Sequence, residues 1–96
     1  MKIARNKEIA TTVIEQECII LDLKSGQYFG LENALKELWL EIDHEYKDIK
    51  IILTKWKNRY DQSEEELIQI LFEAIRELAD KQLIKIIDIR EENFPL

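Results

Sequence analysis

IILDLKSGQYFGLE, residues 19–32, reads as two short strands around a tight turn and contains both glycines of the chain. From Glu17 to Leu23 the alternation places Ile19, Leu21 and Leu23 on one face and Cys18, Ile20 and Asp22 on the other, the pattern of a half-buried strand. Lys24-Ser25-Gly26 follows as the turn. Gly26 can take the positive φ that closes a short hairpin loop with a bulge, so Gln27–Leu31 is expected to return antiparallel. Gly30 has two readings: it leaves room for another backbone or a bulky side chain, or it marks a bulge that bends the strand.

On the N-terminal side, Thr11-Thr12-Val13-Ile14 is a β-branched cluster and predicts a first strand. Residues 1–9 are expected to be a flexible end. On the C-terminal side the period changes to that of helices. Asn33 is placed to cap a helix with Leu35, Leu38, Trp39 and Ile42 at helical spacing, and His44-Glu45-Tyr46-Lys47 breaks it. Asp48 caps a second helix with Ile49, Ile52, Leu53 and Trp56 on one side. Ser63 and Glu66 form a capping box that opens the longest helix, running to about Asp80 on a stripe of Leu67, Leu71, Ala74, Ile75 and Leu78. Leu83–Ile89 reads as a final strand, and residues 90–96 as a flexible tail. The expected class is α+β. Three strands, three helices and a short C-terminal strand, in that order, match a winged helix-turn-helix with an N-terminal three-stranded antiparallel sheet.

The chain has 96 residues, 46% of them hydrophobic and 35% charged. That fits one domain, 1–96, with the apolar content of a globule. A net charge of −6 disfavours nucleic acid and anionic membranes as partners. One cysteine and an N-terminal stretch without an apolar h-region point to the cytoplasm. No run approaches the roughly 20 apolar residues that span a bilayer.

Catalytic chemistry has little to work with: one His, one Cys, two Ser, no Gly-rich phosphate loop and no zinc-type spacing. An enzyme, a metal or a cofactor is not expected. His44 reads as a solvated loop residue and Cys18 as a buried, inert thiol. Glu64, Glu65, Glu66, Glu73, Glu77 and Asp80 make the third helix acidic. A recognition helix entering a DNA major groove needs the opposite sign; an ordinary solvated face also accounts for these carboxylates.

The hairpin Leu21-Asp22-Leu23-x-Ser25-Gly26-x-Tyr28-Phe29-Gly30-Leu31 resembles the PqqD-like family of RiPP recognition elements. The similarity continues through Leu38-Trp39, then Ile49, Leu53 and Tyr60, then Leu78-Ala79-Asp80-Lys81-Gln82-Leu83-Ile84, and covers roughly residues 10–87. Glu32-Asn33 inverts the family's usual order, Gln82 replaces a glycine, and Ile70 stands where many relatives have Asp. The resemblance implies a small winged domain that binds the leader of a ribosomally made precursor peptide and presents it to a modifying enzyme. It implies most directly the recognition protein of split lasso-peptide systems, with a separate leader peptidase as partner. A PqqD-type role beside a radical-SAM enzyme ranks second, and a winged-helix transcriptional regulator is disfavoured by charge.

In such a domain the peptide adds as a strand, which requires an open sheet edge. Gln27, Tyr28, Phe29, Gly30, Leu31 and Glu32 form the expected edge, with Phe29 and Leu31 facing the core and Tyr28, Gly30 and Glu32 the other way. Glu66, Ile70, Glu73, Ala74 and Glu77 form the expected groove side of the third helix. This set suits a leader with apolar anchors and a basic residue.

Overall fold

The computed structural model describes residues 1–88. Its elements are β1 (Lys2–Arg5), β2 (Ile9–Ile14), β3 (Glu17–Asp22), β4 (Tyr28–Leu31), α1 (Asn33–Glu41), β5 (Lys47–Asp48), α2 (Ile49–Arg59), α3 (Glu64–Asp80) and β6 (Ile84–Ile87). The class is α+β, with three helices and two three-stranded antiparallel sheets of order β2-β3-β4 and β5-β1-β6.

The hairpin forms as its sequence predicts. The Asp22 amide donates to the Gln27 carbonyl at 2.9 Å, and the Gly26 amide donates to the Asp22 carbonyl at 2.7 Å. Two residues thus oppose one, the signature of a bulge, and Gly26 supplies its φ of 78°. The Asp22 carboxylate accepts from the Lys24 amide at 2.9 Å, and this bond holds its pKa below the usual carboxylate range.

The covered face of β3 is Cys18 and Ile20, at 1% and 0% exposure, whereas Leu23 is 60% exposed. Ile19 and Leu21 are half-buried. The register decides this: Cys18 pairs with Leu31 and Ile20 with Phe29, so these four share the face that the helices cover. Alternation defines two faces; only packing selects one.

The N-terminal residues correct the expectation of a flexible end. β1 is the central strand of the second sheet, pairing with β6 from Lys2↔Ile87 to Arg5↔Ile84 and with β5 at Lys2↔Asp48 and Ile3↔Lys47. Ile3 and Ala4 are fully buried. Arg5 lies over the Trp39 ring at 4.5 Å and donates to the Trp39 carbonyl at 2.7 Å. Trp39 Nε1 donates to Thr11 Oγ1 at 2.9 Å, so one indole ties β1, β2 and α1 together. KIAR is short and has a cation at each end, and it carries too little periodicity to announce a strand. Likewise Lys47 lies in β5, where the sequence reads only a break. The expected last strand is Ile84–Ile87, and it joins β1 rather than the hairpin sheet. Ile89 and the tail 90–96 lie outside the described residues.

The helix caps follow the sequence at two of three starts. Asp48 accepts from the Lys50 amide at 2.9 Å. Ser63 Oγ accepts from the Glu66 amide at 3.2 Å, and Glu66 Oε1 accepts from the Ser63 amide at 3.5 Å. α1 differs: Glu32 precedes it without a side-chain cap bond, and Asn33, expected as the cap, is the first helical residue with a φ of 53°. Asparagine tolerates that region better than most residues. The predicted stripe of α3 is buried throughout, as are Leu38 and Trp39 from α1, Ile42 just after it, and Ile52 and Trp56 from α2. Glu41 joins α1 to α2 through Lys55 at 3.1 Å and Arg59 at 3.3 Å. Burial pushes its carboxyl upward, but the hydrogen bonds from these two cations outweigh it and hold the pKa low.

α3 ends in a Schellman motif: the Gln82 amide donates to the Ala79 carbonyl at 2.9 Å and the Leu83 amide to the Leu78 carbonyl at 3.0 Å. Gln82 sits at a φ of 59°, a position glycine fills without strain. Gln82→Gly is expected to stabilise the fold by about 0.5–1 kcal/mol, the relief of left-handed strain less the entropy of the freer unfolded chain. Urea melts check it through a higher midpoint at unchanged slope.

Candidate functional site

β4 is the outer strand of its sheet, and among the described residues no other strand pairs with its free side. The Asp22–Gln27 bond sets the phase of the ladder. Antiparallel pairs alternate between bonded and non-bonded, so the backbone groups of Phe29 and Leu31 point to β3. Those of Tyr28 and Gly30 point to the open edge. The side chains follow the expected alternation: Leu31 is buried and Phe29 packs against the core, while Tyr28 is 71% exposed. Gly30 and Glu32 are exposed too. Register is one-to-one through Ile19↔Gly30, which removes the bulge reading for Gly30. A Cβ built on Gly30 meets nothing within 4 Å.

Three concavities run on from this edge. One of about 680 Å³ follows β3 and β4 from Gln16–Ile19 and Tyr28–Glu32 to Asn33 and Lys36. Another of about 270 Å³ lies between the start of α1 and α3, lined by Glu32, Asn33, Ala34, Leu35, Ile70, Glu73, Ala74 and Glu77. Through Asn33, Ala34 and Ile70 it continues into a third of about 320 Å³, bounded by Glu37, Trp56, Tyr60, Gln62 and Leu67. The result is one track: a free backbone edge leading into an apolar cleft.

The structure brings Glu32, Ile70, Glu73, Ala74 and Glu77 together in the cleft and aligns Tyr28, Phe29, Gly30 and Leu31 beside it. Two expected residues fall elsewhere. Gln27 belongs to the turn, with its carbonyl bonded to Asp22 and its amide to Ser25 Oγ at 3.3 Å. Glu66 is the reciprocal partner of Ser63 in the capping box and lines none of the three concavities. Residues that the sequence reading missed are Asn33, Ala34, Leu35, Lys36 and Tyr60. Lys36 follows Asn33 by one helical turn, a spacing that becomes informative once the strand-to-helix junction is known.

The rim of the cleft carries Glu32, Glu73 and Glu77, and its floor Ala34, Leu35, Ile70 and Ala74. Glu73 accepts from Gln69 at 3.4 Å, and Glu77 faces Lys81 at 3.8 Å. Both contacts are exposed and weak, so these carboxylates keep most of their capacity to meet a cation. Cys18 is buried, and burial pushes its thiol pKa up. His44 is exposed in the α1–β5 loop. Among the described residues no group of three or more His, Cys, Asp or Glu is placed to hold a metal ion, and no helix is long and apolar enough to cross a membrane. What this geometry can do is accept an extended backbone along β4, seat apolar side chains in the cleft and meet a cation at its rim.

Comparison with solved structures finds one described as "TbiB1 in Complex with the TbiA(beta) Leader Peptide", with a TM-score of 0.77 and 21% identity, covering 90% of this chain and 99% of that one. At that identity the match is one of fold. No curated protein matches the sequence. The family model described as "Coenzyme PQQ synthesis protein D (PqqD)" matches residues 17–84. That span runs from the first residue of β3 to the first of β6 and takes in the edge, the cleft and all three helices, and the chain belongs to the PqqD family.

Proposed function

We propose that this chain is a non-catalytic adaptor that binds the leader of a ribosomally synthesised precursor peptide by strand addition to β4 and presents it to a modifying enzyme. The observation that carries the proposal is the free edge of β4 running directly into the apolar cleft against α3. Outward amides and carbonyls at Tyr28 and Gly30 supply main-chain bonds, and the cleft supplies side-chain selectivity. A structure of the same fold holds a leader peptide, which supports the reading. We read the helices with the β2–β3–β4 sheet as a winged helix-turn-helix arrangement; the short connections between α1, α2 and α3 support that reading.

The partner enzyme in the first reading is the leader peptidase of a lasso-peptide system, and the compartment is the cytoplasm. The description of the matching family favours a second reading, a peptide chaperone for a radical-SAM enzyme. A precursor gene beside a transglutaminase-like peptidase, or beside a radical-SAM enzyme, separates the two. The decisive measurement titrates the fluorescently labelled leader of that neighbouring precursor against the protein by anisotropy. Saturable binding is expected; failure to bind together with binding to duplex DNA overturns the proposal in favour of a regulator.

The acidic rim yields a separate expectation. Glu73→Lys with Glu77→Lys replaces two favourable contacts by repulsion against a basic leader residue and lowers affinity about tenfold at low salt, less at high salt. Unchanged affinity removes those carboxylates from recognition.

A further inference from the structure

The hairpin sheet has a second open edge. β2 is its other outer strand, and among the described residues no strand pairs with its free side. Its six residues, IATTVI, include no charge, no glycine and no proline, and its register with β3 is unbroken from Ile9↔Asp22 to Ile14↔Glu17. Natural edges are guarded against pairing by charges, proline, bulges or brevity; β2 has none of these guards. The Leu23 amide donates to the Glu8 carbonyl at 2.8 Å, which makes Glu8 and Leu23 a bonded pair and sets the alternation along the strand. The backbone groups of Ala10, Thr12 and Ile14 therefore point to β3, and those of Ile9, Thr11 and Val13 point to the open side. Val13 stands opposite the buried Cys18, on the face that the helices cover, and is nevertheless 50% exposed.

We infer that β2 pairs with β2 of a second copy of this chain, antiparallel about a twofold axis through Thr11. A twofold axis perpendicular to the sheet keeps the covered faces of both copies on one side, so outward residues meet outward residues. Of the registers this allows, the one centred on Thr11 alone engages all three outward residues within each strand: Thr11 meets Thr11, and Ile9 meets Val13 of the other copy. Val13 thereby gains the cross-strand neighbour that it lacks in the single chain. The same register sets Lys7 of each copy level with Glu15 of the other, one opposite-charge pair at either end of the ladder, and both side chains are exposed. Chains of net charge −6 repel each other, and an uncharged strand is where that repulsion opposes contact least. Both β4 edges stay open at the outer ends of the joined sheet, so the pairing is compatible with a peptide on each copy and does not rest on one.

Sedimentation equilibrium of the full chain tests the pairing. The contact is small and association is expected to be weak, with the weight-average mass rising from 11.5 kDa toward twice that value between about 10 and about 500 μM protein. Val13→Pro removes an outward amide and takes no bond from β3; it is expected to melt cooperatively and to keep the monomer mass at every concentration. Lys7→Glu and Glu15→Lys, each alone, put like charges together at both ends of the ladder and raise the dissociation constant about tenfold at low salt. The two combined exchange the partners and restore it to within about twofold, a rescue that belongs to the Thr11 register. A monomer mass throughout for the wild type overturns the pairing. Self-association that survives in a folded Val13→Pro protein, or single charge variants that the double exchange does not rescue, overturns it as well. Either result leaves the reading of β4 standing.

Discussion

Gly30→Pro is expected to lower leader affinity at least about 100-fold while the protein still melts cooperatively. The Gly30 amide faces the open edge, so proline takes nothing from the β3–β4 ladder, and the extended Phe29 before it suits a following proline. For an added strand the same change removes a central donor and sets a ring in the path of the incoming backbone. One lost bond to a neutral group accounts for about 1 kcal/mol; the displacement of the bonds beside it supplies the remainder of the roughly 2.7 kcal/mol that 100-fold represents. Anisotropy titration against the leader measures the loss, and circular dichroism melts confirm the fold. Retained affinity in a folded Gly30→Pro protein would place the peptide elsewhere.

Trp39→Ala has the largest expected effect on stability, a loss of about 4–5 kcal/mol. The indole is fully buried, donates to Thr11 at 2.9 Å and carries the guanidinium of Arg5 at 4.5 Å. Its removal leaves a cavity beneath a cation that burial already disfavours, since burial pulls the Arg5 pKa down against the pull of the nearby Cys18 and Asp43. A domain of 96 residues has about 5–14 kcal/mol to lose in all. The variant is expected to melt more than about 15 °C lower, whereas Trp39→Phe, which keeps the ring and loses the donor, costs about half as much. Equal melting temperatures for Trp39→Ala and wild type would remove the indole as the junction of the two sheets and α1.

The elements legible in the sequence are those whose signals are local. Gly26 makes its turn and bulge, Asp48 and Ser63 cap as read, and the α3 stripe is buried as its spacing demands. The misread elements depend on partners far away in the chain. β1 exists because β6, some eighty residues on, supplies its hydrogen bonds. Glu66 is a local case instead: it has the spacing of a groove residue, and its carboxylate accepts from the Ser63 amide in the capping box that the sequence itself announces. The cleft was half legible: Ile70, Glu73, Ala74 and Glu77 share a helix face in the sequence, but Ala34 and Leu35 join them only through the packing of α1 on α3.

The opening hairpin shows the division most clearly. Its turn, its antiparallel return and the inward placement of Phe29 and Leu31 were determined by the residues themselves, because φ preference and two-residue alternation are properties of adjacent positions. Which face of β3 is covered, which edge of the sheet stays open and why Gly30 has no internal neighbour were decided only by tertiary structure. The physical reason is that burial and edge exposure belong to pairs of elements, β3 against the helices and β4 against solvent, and no single stretch of sequence contains both members of such a pair.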